Sequence, residues 1–127
     1  MRKYLLLKII LLCFTHAQNQ DNKLRLLNAD KLQQITKNRE EIKKLTGNIH
    51  FTKGKLNLYG DIGYWFEKQE LIEFYSNVLV KKNDISLNSD TLSYSTNSNI
   101  IVATGKPVLQ DSGKTIKAGT ITYDVDN

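Results

Sequence analysis

The sequence predicts an all-β protein of stacked repeats, each about 29 residues long, preceded by a signal peptide. Three observations support this: a constant spacing between similar residues, an apolar–polar alternation of period two, and evenly placed turn residues. The motif LNSD at Leu87–Asp90 is echoed by LYGD at Leu58–Asp61, by LNAD at Leu27–Asp30 and more weakly by IKAG at Ile116–Gly119. A single such unit cannot bury its apolar face, so the units must stack.

Segment 1–17 has the features of a secretory signal peptide, which leaves 18–127 as one domain. Arg2 and Lys3 precede the apolar run YLLLKIILLCF, and Thr15-His16-Ala17 resembles a cleavage site. The run is shorter than the roughly 20 apolar residues that a membrane helix needs. Lipidation of Cys13 stays open, although Leu12 is larger than the residue that normally precedes a lipidated cysteine. Cleavage after Ala17 would leave a mature chain without cysteine and therefore without disulfides.

The basic charge of the full chain belongs largely to this leader. Loss of Arg2, Lys3 and Lys8 would lower the formal net charge from +5 to +2. The remaining sequence has no basic stripe interleaved with aromatic residues, which is the pattern expected of a nucleic-acid-binding surface. We therefore expect no nucleic-acid partner.

The segment 31–45 admits two interpretations. Leu32, Ile35, Ile42 and Leu45 fit a helical stripe, and the residues REEIKK within it are good helix formers. The preceding LNAD, however, matches the later motifs, which lie in predicted strands. The repeat therefore favours a strand and turn, with a helix as the alternative.

The repeat itself is clearest at its aromatic positions. Trp65, Tyr94 and Tyr123 follow one another at a constant step of 29 residues in the sequence. The same step relates Asn48 to Asn77 and Lys106, Leu58 to Leu87 and Ile116, Phe51 to Val80 and Leu109, and Gly47 to Ser76 and Gly105. An ordinary β-sandwich whose strands are alike only in composition would not keep this spacing.

Within each unit, apolar residues alternate with polar ones, which places them on one face of a strand. Turns are predicted at Thr52–Lys55, Lys82–Ile85 and Asp111–Lys114, and again near Lys68 and Asn97, so that strands of about 10–12 residues run up and down. Small residues next to the aspartate positions, at Gly60, Ser89 and Ala118, would let these long strands bend. We interpret Asp61 and Asp90 as bend residues.

The series LTGNIHF, LYGDIGYWF, FYSNVLV, ISLNSDTLSY, ATGKPVL and IKAGTITYD resembles the OstA-like N-terminal domain. This family includes LptA-type periplasmic lipopolysaccharide-transport proteins of Gram-negative bacteria. The resemblance runs from about Leu24 to Asp124. It implies an open β-jelly roll in which two sheets enclose an apolar groove. Departures occur at Gly119, which replaces the acidic residue, and at Pro107; the chain ends part-way through a unit, which leaves a C-terminal truncation open.

The resemblance implies that the chain shields lipid A acyl chains in this groove during outer-membrane assembly and that like domains stack edge to edge. Its implied partners are lipopolysaccharide, homologous jelly-roll domains, and the inner- and outer-membrane transport components. The implied location is the periplasm, with outer-membrane association left open. The implied groove lining is Ile49, Phe51, Leu56, Leu58, Trp65, Val78, Val80, Ile85, Leu87, Leu92, Tyr94, Leu109, Ile116, Ile121 and Tyr123. Lys53, Lys55 and Lys82 would lie at its rim, where they could meet phosphate groups.

Catalytic and metal chemistry has no support in the sequence. After the leader, His50 is the single histidine, and no nucleophile elbow, phosphate loop or dinucleotide fingerprint occurs. We expect no enzyme activity, no catalytic or metal-binding residues and no cofactor. Two other functions stay open: a structural β-solenoid that binds proteins only, and the N-terminal piece of a larger outer-membrane lipopolysaccharide-assembly protein.

Overall fold

The protein is all-β, as the sequence predicts. A computed structural model describes residues 22–126; the predicted signal peptide and Cys13 lie outside these residues. The strands are β1 (Arg25–Asn28), β2 (Lys31–Lys37), β3 (Glu40–Lys53), β4 (Leu56–Phe66), β5 (Leu71–Lys82), β6 (Ile85–Ser95), β7 (Ile100–Thr104), β8 (Val108–Asp111), β9 (Lys114–Lys117) and β10 (Thr120–Asp124).

All strands belong to one antiparallel sheet, with the order β1-β3-β4-β5-β6-β7-β10. The three short strands outside this path are β2, β8 and β9. Each forms one half of a bent strand, and the strand next to it in the sequence forms the other half. β2 pairs with the first half of β3 while β1 pairs with its second half. In the same way, β7 and β8 pair with the two halves of β6. β10 then pairs with β7, and β9 pairs with β8. The chain therefore forms seven bent strands, each of which crosses the whole sheet.

The sheet is folded along its middle, so that its two halves face each other. Phe51 lies opposite Leu58 in the β3–β4 ladder, and Trp65 is seven residues further along β4. A straight strand would place Trp65 roughly 23 Å away, yet the rings of Phe51 and Trp65 lie 5.2 Å apart. We call the two halves wall A (β1, 49–53, 56–60, 78–82, 85–89, β8 and β9) and wall B (β2, 40–46, 62–66, 71–75, 91–95, β7 and β10).

The bends lie in the row of small residues that the repeat predicts. Ladder pairing is interrupted between Thr46 and Ile49, between Tyr59 and Ile62, and between Tyr75 and Val78. Three of the bends hold two consecutive residues with positive φ: Gly47-Asn48 (80° and 48°), Ser76-Asn77 (71° and 52°) and Gly105-Lys106 (76° and 54°). Glycine and asparagine tolerate this left-handed conformation best, which explains their recurrence at one step of the repeat.

The recurring aspartates occupy the bends of the neighbouring strands and hold them to these left-handed pairs. The Asn48 amide donates to Asp30 at 3.0 Å, and the Asn77 amide donates to Asp61 at 2.7 Å. The main-chain N–H of Asp30 donates to the carbonyl of Gly47 at 2.8 Å. The LxxD motif is therefore the bend of a strand, and its carboxylate is the acceptor that fixes the next bend.

The third aspartate, Asp90, makes the same main-chain hydrogen bond as Asp30. The main-chain N–H of Asp90 donates to the carbonyl of Gly105 at 3.0 Å. An added Cβ at Gly105 would lie 2.6 Å from the Cβ of Asp90, and one at Gly47 would lie 2.5 Å from Asp30 Oδ2. At these two bends an added side chain would therefore collide with the aspartate of the neighbouring strand, whereas at the middle bend Ser76 fits and its hydroxyl donates to Asp61 at 3.3 Å.

Segment 31–45 is two strands joined by a turn, which is the interpretation that the repeat favours. In the β2–β3 ladder, Ile35 faces Ile42 and Leu32 faces Leu45. The turns before β4, β6 and β9 lie inside the predicted ranges: residues 54–55, 83–84 and 112–113. Those at 67–70 and 96–99 complete the other set.

We predict that Gly47→Ala destabilises the protein by about 2 kcal/mol or more, because alanine pays for a left-handed φ and for the contact with Asp30. Urea unfolding followed by circular dichroism measures the change. Gly119→Ala is the matched control, because no atom lies within 4 Å of the added Cβ. Equal stabilities of the two variants would contradict the importance of the bend.

Candidate functional site

The facing sides of the two walls are lined by apolar side chains that meet in the middle. Phe51 on wall A packs edge-on against Trp65 and Phe74 on wall B, with ring centroids 5.2 and 5.8 Å apart. This edge-to-face geometry is favoured by the ring quadrupoles. Gly63 leaves room for Ile49 from the opposite wall, because its added Cβ would lie 3.3 Å from Ile49 Cδ1. The space between the walls is thus a continuous apolar interior.

Most of the residues expected to line a groove lie in this interior. Those within the buried apolar cluster are Ile49, Phe51, Leu56, Leu58, Val78, Val80, Leu87, Leu92, Tyr94 and Ile121, and those packed against it while partly exposed are Trp65, Leu109 and Tyr123. Two lie elsewhere. Ile85 is partly buried outside the cluster, and Ile116, on the edge strand β9, is 51% exposed.

The interior also contains residues that sequence reasoning missed: Leu45, Ile72, Phe74, Ile101, Ala103 and Val125. Leu45, Phe74 and Ala103 are separated by the same step as the aromatic positions of the repeat, and so are Ile72 and Ile101. Both columns could have been found by extending the repeat. Val125 follows the last strand and has no equivalent in the other units.

Opposite the bends, the walls end in two rows of hairpin turns, and we call the space between these rows the mouth. Lys53, at the wall A row, reaches across it and donates from Nζ to the carbonyl of Thr96 at 3.1 Å and to Asn99 Oδ1 at 2.7 Å, both in the wall B row. The hydroxyl of Tyr94 donates to the same Asn99 oxygen at 2.5 Å. The mouth is therefore held by side-chain contacts and not by strand pairing.

The segment after β10 covers another part of the mouth. Val125 is buried, and its N–H donates to the carbonyl of Asn99 at 2.9 Å. Lys82, at the end of β5 on wall A, donates to the carbonyl of Val125. The Asn99 amide donates to Asp126 at 3.0 Å. This segment thus contacts both rows of turns.

The three lysines expected at the rim come together at this place. Lys53, Lys55 and Lys82 line one cleft of about 460 Å³ together with Val125 and Asp126. The charged groups that line this cleft are therefore three lysine ammonium groups and one carboxylate, that of Asp126.

The other polar residues singled out in the sequence have structural contacts. His50 stacks on Tyr59 with ring centroids 4.4 Å apart, and its Nε2 lies 2.8 Å from Asn57 Oδ1. Asp61 accepts hydrogen bonds at its bend, as described above. Within residues 22–126, no group of three or more His, Cys, Asp or Glu side chains is placed to hold a metal ion.

Burial raises the pKa of Tyr94 from its ordinary value to about 12, and the nearby Asp126 carboxylate adds to this effect. Burial also raises the pKa of Tyr123, and the Asp111 and Asp124 carboxylates contribute. Tyr94 is therefore a neutral hydrogen-bond donor at the mouth over the whole physiological pH range.

We predict that Tyr94 makes the protein less stable above pH 10. A folded-state pKa raised above the unfolded value adds stability that is complete below about pH 10 and is lost as the pH rises through about 12. Urea unfolding at a series of pH values should show that the free energy of unfolding falls less steeply with rising pH for Tyr94→Phe than for the unchanged protein. Identical slopes for the two proteins between pH 10 and 12 would contradict this assignment.

No helix within residues 22–126 is both long and apolar enough to cross a bilayer. No curated protein sequence matches the chain significantly. Among solved structures, the fold is similar to that of LptH from Pseudomonas aeruginosa, described as the LptA-homologous periplasmic component of the lipopolysaccharide transport device. The TM-score is 0.70 at 16% identity, over 83% of this chain and 78% of LptH. The family model for OstA-like proteins matches residues 21–127, and the chain therefore belongs to the OstA-like family.

Proposed function

We propose that the protein is a periplasmic lipid-binding element of lipopolysaccharide transport and outer-membrane assembly, which shields acyl chains between its two walls. One observation carries the proposal: an OstA-like chain folds into two walls whose facing sides are apolar along the stacking direction. The similarity in fold to LptH, a periplasmic component of such a system, is consistent with this role and location.

Lipid entry requires the walls to separate, because the protein's own side chains fill the interior. Phe51, Leu58 and Phe74 are fully inaccessible in the closed form. An acyl chain of about 12 carbons would recover roughly 10 kcal/mol by burying its methylenes, at about 0.8 kcal/mol each. This gain offsets the exchange of side-chain contacts for lipid contacts. The interior residues named above therefore serve as core in the empty state and as lining in the loaded state.

End-to-end stacking of like domains is the second part of the proposal. Within residues 22–126, β1 and β2 leave one edge of the sheet unpaired, and β9 and β10 leave the other. Unpaired edges recruit strands from partners. Leu27 and Leu32 at the first edge are 53% and 51% exposed, and Ile116 at the other edge is 51% exposed. Joining the two edges would cover these apolar side chains and continue the interior from one copy to the next.

A photo-cross-linking amino acid at Phe51 or Trp65 is expected to trap lipopolysaccharide on irradiation of the protein mixed with it. Both positions lie in the interior, and both already hold aromatic rings of similar size. Mass spectrometry of the adducts identifies the lipid.

Tyr75 provides the matched control, since it is an aromatic residue on the outer side of wall B and is 38% exposed. Adducts with lipid at Tyr75 but not at Phe51 would overturn the proposal. Protein adducts alone, at exposed positions, would favour the structural β-solenoid.

We expect Leu32→Lys to weaken self-association, because a charge at the first edge would have to be desolvated on stacking. Sedimentation velocity over a range of protein concentrations measures the effect. Lys31→Gln, at the neighbouring exposed position of β2, serves as the control. Unchanged association of Leu32→Lys would contradict stacking through this edge.

A further inference from the structure

Two of the three lysine ammonium groups at the mouth are held by neutral acceptors. Lys53 donates to the Thr96 carbonyl and the Asn99 amide oxygen, and Lys82 donates to the Val125 carbonyl. A phosphate oxygen carries a full negative charge, so an ammonium group gains Coulomb attraction to it that a neutral carbonyl or amide oxygen does not offer. A phosphate group in the cleft would therefore compete effectively for both lysines.

The position of the cleft suggests how such a phosphate is presented. Leu56 and Val125 line the cleft and also belong to the apolar cluster of the interior. An amphiphile with its acyl chains between the walls would therefore place its polar group at the mouth. Lys53, Lys55 and Lys82 supply three positive charges there against the carboxylate of Asp126.

We propose that Lys53, Lys55 and Lys82 form a binding site for phosphate groups on the polar part of the lipid whose acyl chains lie between the walls. This inference rests on the proposed function. Phosphate binding takes Lys82 from Val125 and Lys53 from Asn99, so the same event that anchors the lipid releases contacts that close the mouth. The site thus couples recognition of the polar group to opening of the interior.

The test compares two synthetic disaccharide lipids with identical acyl chains, one carrying phosphates and one without them. Their affinities are measured by displacement of N-phenylnaphthylamine, a neutral fluorescent probe of apolar interiors. We expect the unchanged protein to prefer the phosphorylated lipid by about tenfold or more, because two ammonium groups exchange neutral acceptors for an anionic one. The double variant K53Q/K82Q should lose this preference while it still binds the unphosphorylated lipid.

Two variants control for charge and folding. Lys81→Gln removes a neighbouring charge that is exposed on the opposite face of β5, and it should keep the preference. K53R/K82R retains both charges and should keep most of it. Thermal unfolding checks that each variant is folded.

The outcomes separate this inference from the proposed function. If neither lipid displaces the probe, the proposed function and the inference both fail. Equal displacement by the two lipids, or a preference that survives in K53Q/K82Q, overturns the inference alone. Stabilisation by inorganic phosphate without any preference between the lipids would assign the site to free phosphate and would also overturn it.

Discussion

The fold depends on a row of bends, which hydrogen bonds join in neighbouring pairs. Asp30 and Asp61 accept from Asn48 and Asn77, and the backbone of Asp90 bonds to Gly105. Without a row of bends, strands of this length would extend as one open sheet with an apolar face exposed to water. The bends fold that sheet onto itself, and the two apolar faces then bury each other. A net gain of about 1 kcal/mol for each bond is small, but the bonds recur along the sheet and place the bends in one row.

The two sides of the roll are held in different ways. At the bends, the main chain itself passes from one wall to the other in β3 to β6, so the walls cannot separate there without breaking strands. At the mouth, Lys53, Lys82, Tyr94 and Asn99 provide side-chain hydrogen bonds, most of them to neutral acceptors. Such contacts can be exchanged at little cost. This asymmetry allows a molecule of this kind to open along one side while the order of its strands and the register of its ladders stay the same.

Much of this architecture could be predicted because equivalent positions of successive repeat units meet the same structural constraint and therefore hold similar residues. The left-handed φ values at Gly47, Ser76 and Gly105 favour small residues, and small residues recur at that step. The interior column of Phe51 and Val80 was visible for the same reason. The mouth was not predictable in this way: Asn99 and Val125 belong to single contacts between distant turns, and no other unit repeats them. Ile116 shows the opposite case, in which the repeat predicts an interior residue but the strand lies at an exposed edge.

The most direct test is a pair of distances between spin labels, measured by pulsed electron–electron double resonance with and without lipopolysaccharide. One pair of labels, at Asp84 and Asn97, spans the mouth, and a second pair, at Asn88 and Thr104, spans the bends; all four positions are exposed. The account predicts that lipid increases the first distance and leaves the second unchanged. Bound lipid with an unchanged distance across the mouth, or with a change confined to the bends, would contradict it.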